Sequence, residues 1–337
     1  MARKQIKLSD IARELNVSVS LVSLVLSGKN KENRISDALT EKVIAKAAEM
    51  GYQTNQLARG LRTGKSGIIG LIVADIANPF FGEMARFIEN EASKIGYHVM
   101  FGSSDENPDK LNELIRVFLS RQVDAMVIVP VKDCQEHLRN LQNHPIPVVY
   151  IDRYCQGIEA DVFCADNFDG GYQLTSLLLS RGYHKIAAFR LDDYLTNNID
   201  RIEGYKAALK ESGKQTRDNS VFNIGYQEFG SHLKPALDKV IEDAYDAIFF
   251  ANNSIAIRSI KYFNEMKISI PDDMAIVSFD NPEAFHISKP GISCYKQPME
   301  AICTGTLELI AQKLENIGDA SPQINAFKGD MIVRDSC

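Results

Sequence analysis

At 337 residues, with 45% hydrophobic and 24% charged, the chain is ordinary for a soluble globular protein and long enough to hold more than one domain. Its net charge of -6 argues by itself against nucleic acid, but residues 1–65 hold 12 Lys/Arg against 6 Asp/Glu, a local +6 that leaves -12 for the remainder. The opening MARKQIKLSD has no apolar stretch of a signal peptide, and the longest early apolar run, 68–74, is far too short to span a bilayer, so no membrane partner is expected.

The first elements are short. Ile11 and Leu15 share one face of a helix expected from Leu8 to about Glu14. Asn16 follows where a tight turn wants a residue tolerant of the left-handed region. Ser18 is placed to cap a second helix, with Val22, Val25 and Leu26 inward and Ser20, Ser23, Leu24 and Ser27 on the opposite face. Ser36-Asp37 opens a third helix, with Val43, Ile44 and Ala47 as its buried stripe and Gly51 as its stop. Two short helices across a tight turn form a helix-turn-helix, whose second helix can enter the major groove. Small hydroxyls let it sit close to DNA, bonding phosphates or base edges, while Leu24 packs on a thymine methyl. Periodicity alone also fits a plain helical hairpin.

After Tyr52 comes TNQLARGLRTGKSG. Asn55 can cap a helix to about Thr63, too short to be stable alone in water. It reads either as a linker or as a hinge that folds on DNA, with Leu61 as an apolar wedge in the minor groove.

The runs SDIARELNVSVSLVSLVLSG and EMGYQTNQLARGLRTGKSGIIGLIVADIANPFF resemble the lactose-repressor and purine-repressor (LacI/GalR) family, and the likeness extends over nearly the whole chain. The resemblance implies an N-terminal all-α helix-turn-helix headpiece on an α/β periplasmic-binding-protein-like body of two doubly wound parallel-sheet lobes. It implies a homodimer on a roughly palindromic operator of double-stranded DNA. The residues expected on DNA are Ser18, Val19, Ser20, Ser23, Leu24, Ser27, Asn55, Ala58 and Leu61, with Lys31 and Arg34 on phosphates from a loop that equally fits a solvated surface. Many members carry arginine where Leu24 stands, so the operator sequence does not transfer. The loop Gly28 to Arg34 is a few residues longer than usual, and Thr54 replaces a common proline. No heptad segment follows Ile332, which favours a dimer over a tetramer.

From Ile68, strand-like runs alternate with helical ones. IIGLIVAD, HVMFGSS, DAMVIVPV and PVVYID are separated by helices expected over Phe81–Ile95, Asp109–Leu119 and Gln135–Leu141. A second series starts near Phe163, with helices expected over Gly170–Ser180, Ile202–Glu211, Glu228–Ile241 and Ile255–Glu265. The expected division is a head at 1–53, a hinge at 54–66, and a body at 67–337. Lobe one is expected at about 67–162 and 296–325, and lobe two at about 163–292, with a cleft between.

Polar residues fall at the strand ends: Asn78 with Phe80 and Phe81, Asp152-Arg153, Asn252, Asp280 and Gln297, with Arg201 ahead of RIEGYKAAL's glycine. A polyol wants carboxylates, guanidinium groups and amides as partners and an aromatic for its CH faces. The resemblance assigns effector binding to Asn78, Phe80, Phe81, Asp152, Arg153, Arg201, Tyr226, Asn252, Asp280 and Gln297. Individually, Phe80 and Phe81 also fit a core, Asp280 a turn, and Arg153 a surface ion pair.

There is no GxSxG, Walker loop or HExxH, so nothing points to an enzyme. The six cysteines form no CxxC and no histidine stands at zinc spacing from them, so neither metal nor cofactor is expected. The sequence therefore reads as a cytoplasmic DNA-binding regulator, a repressor controlled by a small sugar-like effector. The competing reading is a cytoplasmic solute-binding or sensor protein that does not act on DNA.

Overall fold

A computed structural model describes residues 6–52, 65–191, 194–213, 220–226, 229–315 and 321–337. They fall into two compact units, Met1–Ser66 and Gly67–Cys337.

The first unit is a three-helix head: α1 (Leu8–Leu15), α2 (Val19–Leu26) and α3 (Asp37–Glu49). Asn16 ends α1 in the left-handed conformation, with φ 51° and ψ 46°. That single residue turns the chain so that Ser18 can begin α2, its side chain accepting from Leu21 N at 3.2 Å. Such a cap is worth about 1 kcal/mol. Ile11, Ala12, Val22, Val25, Val43 and Ala47 form the core. Ile44, expected in that core, is instead 52% exposed. The row Val43–Ala47 already fills the contact with α1 and α2, and so small a head has nothing to cover a second row.

The second unit carries two six-stranded sheets. The first is built from β1 (Ile68–Val73), β2 (His98–Ser103), β3 (Ala125–Ile128), β4 (Val148–Ile151), β5 (Asp161–Ala165) and a late strand, β11 (Ile324–Phe327), in the order β2-β1-β3-β4-β5-β11. All its pairings are parallel. Helices α4 (Pro79–Lys94), α5 (Pro108–Ser120), α6 (Gln135–Gln142) and the returning α12 (Met299–Leu314) belong to it.

The second sheet runs β7-β6-β8-β9-β10-β12, from β6 (Ile186–Leu191), β7 (Val221–Ile224), β8 (Ala247–Phe250), β9 (Ala275–Phe279), β10 (Ser293–Lys296) and β12 (Asp330–Ile332). Only the β10–β12 pairing is antiparallel. Its helices are α7 (Asn167–Ser180), α8 (Thr196–Glu211), α9 (Phe229–Glu242), α10 (Asn253–Met266) and the short α11 (Glu283–Ile287). Two apolar clusters cover its two faces.

Two expectations about the lobes need correcting. The strand 161–165 was expected to open lobe two, but it pairs with β4 and β11 in the first sheet. Lobe two was expected over about 163–292, but β10 and β12, which lie beyond that span, also belong to the second sheet. The chain thus crosses between sheets after β5, after β10, and between β11 and β12. Strand pairing is non-local, so the alternation of β and α in sequence does not say which sheet takes each strand. What matters for the site is that register: Val73 lies beside Ser103, Ile151 beside Phe163, Leu191 beside Ile224, and Phe250 beside Ser278. Within each sheet the carboxyl ends of the strands are therefore level, which is where ligands bind in such sheets.

Candidate functional site

Sixteen residues line one cavity at those strand ends, with an empty volume of about 430 Å³ including its mouth. All ten residues expected for an effector are among them: Asn78, Phe80, Phe81, Asp152, Arg153, Arg201, Tyr226, Asn252, Asp280 and Gln297. Asp75, Glu106, Leu191, Asn197, Phe229 and Ser254 also line it and were not anticipated. Asp75, Glu106 and Asn197 obey the same strand-end rule, after β1, β2 and β6, so the signal was there.

Asp152 and Asp280 occupy corresponding places after β4 and β9. Both are buried and both adopt positive φ, 72° and 65°. A non-glycine residue held there is strained, and such strain gathers at binding sites. Gln297 donates through Nε2 to Asp280 at 2.6 Å, and Asn197 through Nδ2 to Asp152 at 3.0 Å. Asp152 Oδ1 and Gln297 Oε1 are buried acceptors with no partner among the described residues. An unmet buried acceptor is costly, so both ask for a donor from a ligand.

Burial pushes the Asp280 carboxyl up to about 6, against the opposing pull of the Arg201 guanidinium. Burial likewise lowers Arg201. Arg201 is held by Asn167 Oδ1 at 2.8 Å and Ala251 O at 2.7 Å, and lies 3.8 Å from the centre of the Phe279 ring. Arg153 faces burial too, but Glu106 and Asp152 outweigh it and raise the guanidinium above its ordinary value. Its two Nη atoms donate to the two Glu106 oxygens at 3.0 and 2.9 Å. This is a buried, bidentate pair rather than a surface one.

Phe80 and Phe81 serve both core and cavity; their rings meet edge to face at 5.1 Å. Asn78 caps α4 through Phe80 N and exchanges a reciprocal amide pair with Asn253, at 3.2 and 3.0 Å. That pair joins the two lobes. Asn252 caps α10, accepting from Ser254 N at 2.9 Å and Ile255 N at 3.4 Å. Its side-chain oxygen is therefore already engaged, unlike Asp152 Oδ1 and Gln297 Oε1. Burial and a hydrogen bond to Asp75 raise the Tyr226 phenol.

Glycine fixes where Arg201 stands. Helices α7 and α8 meet so closely that a Cβ on Gly171 would lie 2.1 Å from Arg201 O, and one on Gly204 2.1 Å from Phe168 O. Helix α8 also starts at Thr196, earlier than the expected Ile202, because its polar first turn is anchored. Thr196 Oγ1 donates to Tyr154 O at 2.8 Å, and Asn198 Nδ2 to Leu191 O at 2.5 Å.

On the head, Val19 is 46% exposed and Ser18, Ser20, Lys31 and Arg34 are exposed, while Ser23, Leu24 and Ser27 are half-buried. Ser27 donates its hydroxyl to Leu24 O, closing the end of α2. The loop that follows is bound to itself by Ile35 N to Asn30 O and Asn33 Nδ2 to Lys29 O, both at 2.9 Å. Asn55, Ala58 and Leu61 lie outside the described residues.

A helix-turn-helix head on a chain whose body is a two-sheet, cleft-bearing receptor defines a ligand-responsive transcriptional regulator. Residues 7–55 match the model for bacterial regulatory proteins of the lacI family, and 66–227 that for periplasmic binding proteins and the sugar-binding domain of the LacI family. Residues 175–337 match a periplasmic binding protein-like domain. The chain is 30% identical over 311 residues to the ribose operon repressor of Halalkalibacterium halodurans, covering 91% of this chain and 89% of that one. It is 29% identical over 307 residues to catabolite control protein A of Priestia megaterium, covering 90% and 91%. The lac repressor dimer bound to operator and an anti-inducer superposes with a TM-score of 0.83 at 19% identity, covering 99% of each chain. The chain belongs to the LacI family of bacterial regulatory proteins. Its relatives are transcriptional regulators, not enzymes.

Proposed function

We propose that the protein is a cytoplasmic repressor, acting as a homodimer on double-stranded operator DNA, whose grip on DNA is set by a neutral sugar in the cleft. The observation that carries the ligand class is the pair of unmet acceptors, Asp152 Oδ1 and Gln297 Oε1, inside a cavity also walled by Phe80 and Phe81. Sugar hydroxyls supply the donors, and the rings supply a surface for CH groups. Charge supports a neutral ligand over a sugar phosphate. The cavity holds four carboxylates, Asp75, Glu106, Asp152 and Asp280, against two guanidinium groups, Arg153 and Arg201.

The DNA side rests on the nearly uncharged outer face of α2 and its ends, with Ser18, Val19 and Ser20 exposed and Ser23, Leu24 and Ser27 half-buried, and on the exposed Lys31 and Arg34 of the following loop. Asn55, Ala58 and Leu61 are proposed to complete the contact in the minor groove.

The test is selection of duplexes by the full-length protein, with and without a panel of pentoses, hexoses and their phosphates. The expected result is one enriched, roughly palindromic sequence whose recovery changes with a neutral sugar. No preference over random duplex under any addition would overturn the regulatory reading. A response confined to phosphorylated sugars would overturn the ligand class.

A further inference from the structure

Two thiols stand together beside the effector cavity. Cys134 is the residue before α6, and Cys155 lies three residues after Asp152 on the segment leaving β4. Their sulfurs are 3.9 Å apart. All six cysteines are buried. Cys155 lines a second depression, outside the effector cavity, whose walls include Lys132, Tyr154, Tyr194 and Thr196. Cys134 does not reach that depression and is fully buried behind it. Cys155 therefore borders the depression and Cys134 lies behind it, an order that suits an attacking and a resolving thiol.

The environment polarises the pair. The contact with Cys134 lowers the Cys155 thiol; burial opposes this and the Arg139 guanidinium adds to it. The same contact, with burial, raises Cys134. The thiolate is the reactive form, so the thiol that borders the depression is also the better nucleophile.

We propose that Cys134 and Cys155 are a reversible redox pair, oxidised to a disulfide by a hydroperoxide that enters through the outer depression. The Cys155 sulfur attacks the terminal oxygen of the hydroperoxide. The O–O bond breaks, an alcohol (or water) leaves, and Cys155 becomes a sulfenic acid. The Cys134 sulfur then attacks the Cys155 sulfur. The S–S bond forms, the S–O bond breaks, and the hydroxide leaves as water with the Cys134 proton. Two thiols and one hydroperoxide give one disulfide, one alcohol and one water, the pair losing two electrons. A small dithiol reverses the step by exchange.

Closure from 3.9 Å to a bonded distance of about 2.05 Å draws the two segments together. Asp152 and Arg153 ride on the Cys155 segment, and Arg153 walls both the effector cavity and the outer depression. Oxidation thus shifts the effector site, a consequence that rests on the sugar-binding reading; the disulfide does not.

The test titrates reduced full-length protein with hydrogen peroxide, followed by alkylation and peptide mass spectrometry. A Cys134–Cys155 cross-link should form before any other cysteine changes, and dithiothreitol should reverse it. Cys134→Ser should leave Cys155 as a sulfenic acid that dimedone labels; Cys155→Ser should abolish both products. Oxidation of any other cysteine first, with Cys134 and Cys155 still alkylatable, would overturn the pair. Hydrogen exchange at residues 130–135 and 152–156 reads the coupling. Cross-linking with unchanged exchange there would overturn the link to the effector site.

Discussion

Asp152 and Asp280 have different partners despite their matching places. Asp152 lies between Arg153 and Asn197, while Asp280 is buried next to Gln297 with its carboxyl pushed up to about 6. The sign of its pH effect follows. The folded chain holds this proton more tightly than the unfolded chain, so the group removes stability as pH rises from 3.8 to about 6, and no more above that. Sugar hydroxyls that donate to the carboxylate favour its charged form and lower its pKa in the complex. Binding should therefore release protons near pH 6, and affinity should climb with pH to about that point and then level. Calorimetry in two buffers of different ionisation enthalpy measures the release. Asp280→Asn should remove the pH step and weaken binding roughly tenfold at neutral pH, the worth of about one charged hydrogen bond. A variant that keeps the step would place the titrating group elsewhere.

Elements carry these residues to the cavity, and the α7–α8 contact does so most tightly. Gly171→Ala would put a methyl 2.1 Å from the Arg201 carbonyl, so α8 must move as a body. Overpacking of this kind costs about 1–3 kcal/mol. The expected outcome is a lower Tm together with a loss of the sugar-induced thermal shift, because Arg201 moves with its helix. A variant that melts early yet keeps the full shift would separate the packing from the site. Here the limits of sequence reading are physical. Strand-end residues such as Asp152, Asp280 and Gln297 were legible because a β/α alternation puts strand ends in one place. Asn16 and Ser18 were legible because a left-handed turn and a cap use few residue types. The sheet membership of 161–165 was not, since a parallel strand is equally apolar in either sheet. The first turn of α8, Thr-Asn-Asn, was missed because these are poor helix formers. Tertiary bonds from Thr196 and Asn198 override that preference. Ile44 misled because its spacing suits a broad buried face, and the head buries only a narrow one.

At the scale of the whole chain, the division of charge sets the terms on which the two units can cooperate. The +6 of residues 1–65 suits a polyanion, while the -12 of the rest does not. DNA affinity should accordingly fall steeply with salt, and sugar affinity should not. Control then requires coupling between the units, and coupling has a property that no single-site measurement shares: it is reciprocal. If the sugar changes operator affinity by some factor, operator must change sugar affinity by the same factor. Typical couplings are about 5- to 150-fold. The experiment is a thermodynamic square on the full-length protein at one salt concentration. Operator affinity is measured with and without saturating sugar, and sugar affinity with and without saturating operator. Equal factors are expected, whichever sign the coupling takes. A sugar that changes operator recovery while operator leaves sugar affinity untouched would mean that it acts through something other than this cleft.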